Sequence, residues 1–394
     1  MDLSHALRFT HTSVAQEIVC DTDAITRLCR TLDTLGAQTA MIVCGPSILR
    51  GSDVIQRVQT ALGTRCVGLF AGVAPHAPVS TLDEAMLVAR EAQPEALVSV
   101  GGGSTHDTTK GLATLLGEGG DIHAYEIHFE PPDTVIIPAL TRPKIPIVTI
   151  PTTMGGAELS RGAGFTDHAL GRKIVVGDPG TIPRSILIDG QALATTPTSI
   201  LASTAMGQLR IAVETVYSRR HNPIGDALAL HAIRMLVDTL PRCQGKALPD
   251  LLTIKTAACM ASLASVGGLG LNTATAHHVG GLYNVPHGEA NAILLPHTMR
   301  FNLPASAERQ ALIAEAMGVN TAGMSPQAAG LAAAEAVADL CKQLGLPSRL
   351  RDVDVPEEGL AAIAAATLHD RALATNPLPI TDAAPILSVL RAAW

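Results

Sequence analysis

The sequence predicts a two-part α/β plus all-α protein, with a parallel-sheet domain over residues 1–188 and a helical domain over residues 189–394. Two observations carry this: strand-like and helix-like segments alternate up to about residue 190, and after that point strand signals give way to long Ala-, Leu- and Thr-rich helical stretches. A third fits both, since 394 residues with 47% hydrophobic content suit two domains of ordinary size with real cores.

The elements follow in order. "AITRLCRTLDTLG" is helical by period, and "TAMIVCG" is a short buried strand ended by glycine. "SDVIQRVQTALG" is a helix, "RCVGLFAGV" a strand, "TLDEAMLVAREAQ" a helix with a threonine cap, and "ALVSVGGGS" a strand running into glycines. Strands and helices of this length in alternation imply a parallel sheet covered on both faces. "IPRSILIDG" closes the pattern, and "PIGDALALHAIRMLVDTLP" and "GLAAAEAVADLCKQLG" are helices of the second half. The aromatic content of 2% means that this core is filled by Ala, Leu, Val and Ile.

Composition removes several function classes. A net charge of −7 with scattered Lys and Arg gives no basic field, so no nucleic-acid partner is expected. Apolar runs are broken by charges before the length of a membrane span, so no membrane is expected either. The start "MDLSHALRFTHTSVAQ" lacks a basic region followed by an apolar core, which predicts a cytoplasmic protein. The seven cysteines are widely spaced, never form a CxxC pair, and read as small core hydrophobes in a reducing compartment.

Chemistry enters at "VSVGGGSTHDTTKGLA", where Gly101, Gly102, Gly103 and Ser104 stand between a buried strand and a helix. Without side chains there, backbone N–H groups can close around a phosphate at the positive helix end, and Asp107 and Lys110 fall on the first turns of that helix. "IPTTMGGAELS" repeats the logic of strand, hydroxyl pair and glycines, so Thr152 and Thr153 are candidates to bond ribose or phosphate. Read by itself it is a proline-started turn with two solvated threonines.

"GGGSTHDTTKGLA", "IPTTMGGAELS", "AHHVGGLYNVPHG" and "NAILLPH" together resemble, in order and interval, the signatures of the iron-containing alcohol dehydrogenase family, related to dehydroquinate synthase. The resemblance covers nearly the whole chain. It implies an N-terminal nicotinamide-nucleotide domain, a C-terminal helical domain and a catalytic cleft between them, with NADH or NADPH as cofactor, Lys173 of "GRKIVVGD" near the ribose, and a homodimer. It also implies an ion held by an Asp and a His of one helix and by two further His.

Most of that ligand set is missing here. Aligned on Met206 and Glu214, "AMGQLRIAVE" has Gly207 at the Asp position and Ile211 at the His position. Thr273 stands at the third position, and only His287 of "PHG" keeps a donor. One imidazole cannot hold Fe²⁺ or Zn²⁺, so no metal is expected. His278 and His297 then read as hydrogen-bonded core and loop residues. His277 matches a non-ligand histidine that the family places near the nicotinamide for proton relay.

Hydride transfer to a plain carbonyl builds negative charge on oxygen that an ion would stabilise. Without it, either the substrate is conjugated, so that charge spreads into an enolate, or a fixed cationic donor faces the oxygen. Both point toward the maleylacetate reductase branch, which "PTTMGGAELS" and "SRRHNPIGDAL" resemble, while "PHGEANAILLPH" resembles the alcohol dehydrogenases. Arg210, between Gly207 and Ile211, is a candidate to enter the emptied space and hold a substrate carboxylate or oxyanion, with His287 as further electrophilic support. Its bland reading is an exposed helix arginine. Gly45, where many NAD sites carry an acid, predicts dual cofactor use or an NADP preference. Two other readings stay open: a metal-dependent dehydrogenase using His277, His278 and His287, and a nucleotide-binding homologue with a non-redox role.

Overall fold

The computed structural model describes residues 9, 10, 12, 15–130, 134–265 and 268–394, so most of the stretch read for a leader lies outside the described residues. The chain divides into two compact units, residues 15–197 with 247–252 and residues 198–246 with 253–394.

The first unit is built on six strands: β1 (Glu17–Asp21), β2 (Ala40–Cys44), β3 (Cys66–Phe70), β4 (Ala96–Gly101), β7 (Ile147–Pro151) and β10 (Ser185–Asp189). Every pairing among them is parallel, in the order β1-β10-β7-β4-β2-β3. The helices α1 (Leu28–Leu35), α2 (Pro46–Gly51), α3 (Val54–Leu62), α4 (Val79–Ala92), α5 (Gly103–Glu118) and α6 (Gly190–Ala194) alternate with them. β2 and β4 are buried throughout, as strands covered on both faces must be. One core packs Ile25, Leu28, Leu32, Val54 and Val58 against Ile42, Val98 and Val148; the other packs Met86, Leu112 and Phe165 against Met41, Leu97 and Ile147. Two antiparallel pairs complete the unit, β5 (His128–Glu130) with β6 (Thr134–Ile136) and β8 (Gly162–Asp167) with β9 (Arg172–Gly177).

Chain direction across the sheet reverses between β2 and β4. The strands after β2 run outward to β3 on one side, while those after β4 run through β7 to β10 on the other. Ligands of open α/β sheets bind outside the strand carboxyl ends at such a reversal. Gly45 and Gly101 stand at those two ends.

The second unit is helical, with no strand among its described residues: α7 (Thr198–Tyr217), α8 (Pro223–Thr239), α9 (Leu248–Ala264, whose first turns belong to the sheet unit), α10 (Leu271–Tyr283), α11 (His287–Ala316), α12 (Pro326–Gln343), α13 (Leu360–Thr367) and α14 (Ala383–Ala392). Among the described residues no helix is long and apolar enough to cross a membrane. Cys44, Cys243, Cys259 and Cys341 are buried as expected of core hydrophobes. Cys29 and Cys66 are only half-buried and Cys20 is exposed, because β1 is an edge strand with a single neighbour.

Candidate active site

The glycine turn is built for close backbone approach. A Cβ on Gly101 would lie 2.9 Å from the Thr105 Cβ, and one on Gly102 would lie 2.9 Å from Thr153 Cγ2. The two glycine-rich motifs therefore touch, and their strands are neighbours with Gly101 in register with Pro151. Thr152 donates its N–H to Gly101 O at 2.9 Å and is 3% exposed, so it is a buried part of the cradle and not a solvated turn residue. Thr153 is half-buried, and its Oγ1 accepts from Gly155 N–H at 3.4 Å. Ser104 Oγ accepts from the N–H of His76 at 3.0 Å. His76 and its neighbour Ala77 hold left-handed conformations at φ +62° and +47°. Consecutive non-glycine residues in that region are costly and persist only where the surroundings enforce them.

Asp107 and Lys110 point back into the protein. Asp107 Oδ2 accepts from Gly164 N–H at 3.1 Å on β8, and burial pushes its carboxyl up against the pull of Lys110, Gly164 and Lys173. The Lys110 ammonium is 1% exposed and donates to Ala157 O at 2.5 Å, Gly162 O at 2.8 Å and Ser160 Oγ at 3.2 Å. Those bonds engage all its hydrogens and tie α5 to the loop that follows Thr152 and Thr153. Burial pulls the Lys110 ammonium below its ordinary value, opposed by Asp107 and Glu158. Lys173 on β9 is exposed, yet its ammonium too is lowered by the protein crowded around it, with Asp107 counteracting. Of the three, Lys173 is the charge that faces solvent.

In the helical unit, Arg210 is not an exposed helix arginine; it is 4% exposed. Its Nη1 donates to Thr273 Oγ1 at 2.5 Å and lies 3.4 Å from Glu214 Oε2 one turn along α7. Glu214, itself 0% exposed, caps α10 by accepting from the N–H groups of Asn272 at 2.9 Å and Thr273 at 3.3 Å, and it also accepts the Thr273 hydroxyl. A carboxylate at a helix N-terminus is favourable, and the guanidinium balances its buried charge. Burial lowers the Arg210 pKa, with Glu214 opposing. Arg210 Nε, Asn291 Oδ1 and Asn272 Oδ1 are buried without hydrogen-bond partners among the described residues. The Asn291 Nδ2 sits 3.8 Å from where a Cβ on Gly207 would be.

This region does not fit a metal ion. Gly207, Ile211 and Thr273 offer no imidazole, carboxylate or thiolate, and around them stand the Arg210 guanidinium, the Asn291 amide and a single carboxylate, Glu214, already engaged by Arg210, Asn272 and Thr273. Among the described residues no group of three His, Cys, Asp or Glu is arranged to hold an ion, and His277, His278 and His287 form no such group.

His277 lies on the exposed face of α10, and its ring stacks on that of His287 at 5.7 Å between centroids and 16° between planes. The left-handed Asn284 (φ +55°) ends α10 and lets Pro286 start α11 beside it, which brings the two rings together. His277 Nδ1 is 2.8 Å from Asp370 Oδ2. Sequence reasoning missed Asp370, since it lies in no motif and reaches α10 only through the fold. It also passed over Glu214, used only to align the helix. His278 Nε2 lies 3.7 Å from the same carboxylate without a hydrogen bond, and burial lowers its pKa. Burial pushes His297 down to about 4, helped by Arg300, so it is neutral near pH 7.

Two family models match the chain: "Iron-containing alcohol dehydrogenase" over residues 15–190 and "Fe-containing alcohol dehydrogenase family, C-terminal" over residues 201–394. Lactaldehyde reductase of Escherichia coli (strain K12) is 33% identical over 368 residues, covering 91% of this chain and 93% of that protein. Maleylacetate reductase of Burkholderia cepacia is 28% identical over 368 residues, covering 92% and 91%. The crystal structure of a 1,3-propanediol oxidoreductase superposes with a TM-score of 0.92 at 31% identity, covering 98% of this chain and 100% of that one.

Proposed function

The chain belongs to the iron-containing alcohol dehydrogenase family, a family of oxidoreductases, and we propose that it is a metal-independent NAD(P)H-dependent reductase of an activated carbonyl or a conjugated enone or oxo acid, maleylacetate reductase-like in its chemistry. One observation carries this reading: where the family's ligand helix would hold an ion, Arg210 donates to Thr273 and is balanced by Glu214.

The dinucleotide would supply the hydride. Gly101, Gly102, Gly103 and Ser104 fit its diphosphate, because a side chain at Gly101 or Gly102 would collide with Thr105 or Thr153. Thr152 and Thr153 form the other wall of that cradle, Lys173, exposed on β9 and acting on Asp107, is the cation offered to the ribose or phosphate, and Asp107 and Lys110 hold the β8 and 157–162 segments in place. Gly45 at the end of β2 brings no acid toward a ribose 2′-phosphate, so NADPH is accepted as well as NADH. His277 supplies or removes the proton that accompanies the hydride, with His287 stacked against it. Arg210 provides the fixed positive charge toward a carboxylate or developing oxyanion, its unpartnered Nε being the atom with capacity left. The substrate is a small molecule, and a cytoplasmic homodimer is the form proposed.

The test is elemental analysis of purified protein together with fluorescence titrations of NADH and NADPH. Turnover is then measured on simple aldehydes and on conjugated oxo-diacids, with and without a chelator. Substoichiometric metal, tight cofactor binding and chelator-resistant reduction of the conjugated substrates are expected. One equivalent of metal, with activity lost on chelation, would overturn the reading.

A further inference from the structure

We infer that Asp370 is a positioning residue for His277, fixing the imidazole tautomer in which Nε2 is the atom that exchanges the proton; this deepens, and rests on, the proposed role of His277. Both oxygens of this carboxylate are engaged. Oδ1 accepts the N–H of Ala372 at 2.8 Å, which anchors it at the start of the 371–375 turn, and Oδ2 lies 2.8 Å from His277 Nδ1. The Asp370 side chain is only 11% exposed. Burial pushes its carboxyl up, but the His277 hydrogen bond and charge, with the Ala372 N–H, outweigh that and hold it below the ordinary value.

An ionised carboxylate only accepts, so the hydrogen of a neutral His277 ring sits on Nδ1 and the lone pair on Nε2. The stack on His287 fixes the ring plane. Around the pair, His278 Nε2 lies 3.7 Å from the same carboxylate and the His287 ring stacks on that of His277. Asp370 therefore selects the tautomer without itself reaching a substrate.

The geometry makes a sharp test possible. In Asp370→Asn the remaining oxygen can satisfy only one of its two present donors. Keeping it on the Ala372 N–H turns the amide NH₂ toward His277 Nδ1, which must then accept, and the ring hydrogen moves to Nε2. The experiment labels the full-length protein with ¹⁵N-histidine, assigns His277 by loss of its signals in His277→Gln, and reads the tautomer from nitrogen shifts. An Nδ1–H form in the wild type, an Nε2–H form in Asp370→Asn and a mixture in Asp370→Ala are expected. The same tautomer in all three overturns the inference. With NADH and a conjugated oxo-diacid as the assayed substrate, the wild type is expected to turn over, Asp370→Asn to lower kcat by about a hundredfold or more while KM stays within about threefold, and Asp370→Glu to recover part of it. If His277→Gln leaves turnover intact, the proton-relay reading fails while the tautomer result stands. If His277→Gln is impaired but Asp370→Asn keeps both tautomer and kcat, the positioning role alone fails.

Discussion

Replacing Lys110 with methionine separates two roles that the glycine motif leaves entangled, direct contact with the nucleotide and support of the loop behind it. The Lys110 ammonium bonds Ala157 O, Gly162 O and Ser160 Oγ and lies 3.8 Å from Asp107 Oδ1. Methionine fills similar volume but leaves the Ala157 and Gly162 carbonyls to share the single Ser160 hydroxyl hydrogen, so one is stranded at about 1–3 kcal/mol, and it removes the cation beside Asp107. Relief of the lysine's own desolvation and burial of a more apolar chain return part of that, for a net loss of about 2 kcal/mol. For a unit of roughly 190 residues each kcal/mol moves Tm by about 2–4 °C, so thermal unfolding of the sheet unit is expected about 4–8 °C lower. NADH titration below the transition is expected to give a Kd raised less than about tenfold, with an unchanged salt slope, because this charge does not meet the diphosphate. An unchanged Tm with a Kd raised a hundredfold would refute the reasoning and return Lys110 to the cofactor's first contacts.

Gly102→Val places a Cβ 2.9 Å from Thr153 Cγ2 and is expected to weaken NADH binding by at least about tenfold with little change in far-UV circular dichroism, while equal affinity would deny the cradle. His123 lies 2.6 Å from both Asp121 Oδ1 and Asp167 Oδ2; the bonds to Asp167 and Asp121 raise its pKa above the ordinary 6.5, and both carboxyls are held low. The histidine's contribution is full below its unfolded value and lost as pH rises through the raised one, whereas the carboxylates' share is lost as pH falls through their depressed values. Tm followed from about pH 4 to 9 should therefore flatten in His123→Gln, and parallel curves for the two proteins would remove the clasp. Gly207→Asp, Ile211→His and Thr273→His combined should bind about one equivalent of a divalent ion with His287, measured by elemental analysis, whereas a variant as metal-poor as wild type would show that donors alone do not rebuild the site.

How much of this was legible in the sequence follows from the range of the interactions. The alternation of "TAMIVCG", "RCVGLFAGV" and "ALVSVGGGS" with helical segments announces β2, β3 and β4; burial on both faces leaves unbroken apolar runs in β2 and β4, while the edge strand β3 is buried only at Phe70. The glycine turn was legible because only backbone can approach that closely. The direction of Lys110 was not: three residues past Asp107 on a helix, it could face a phosphate or a carbonyl, and only the fold of the 157–162 loop decides. Arg210 was legible as a substitute for the lost ligands, but its burial was not, since that depends on Glu214 and on Thr273 meeting it across helices. Asp370, 93 residues from His277, leaves no local mark at all.

The link between α7 and α10 has a consequence for how this chain reaches its working form. A bound ion is a separate solute, present or absent according to supply, exchange and chelation. The guanidinium joining Thr273 to Glu214 is translated with the chain, at fixed stoichiometry, and cannot be diluted away or oxidised to another valence. On the proposed metal-independent reading, α10, which carries His277, is joined to α7 by side chains of the polypeptide itself, and its register is set at folding, before any small molecule arrives.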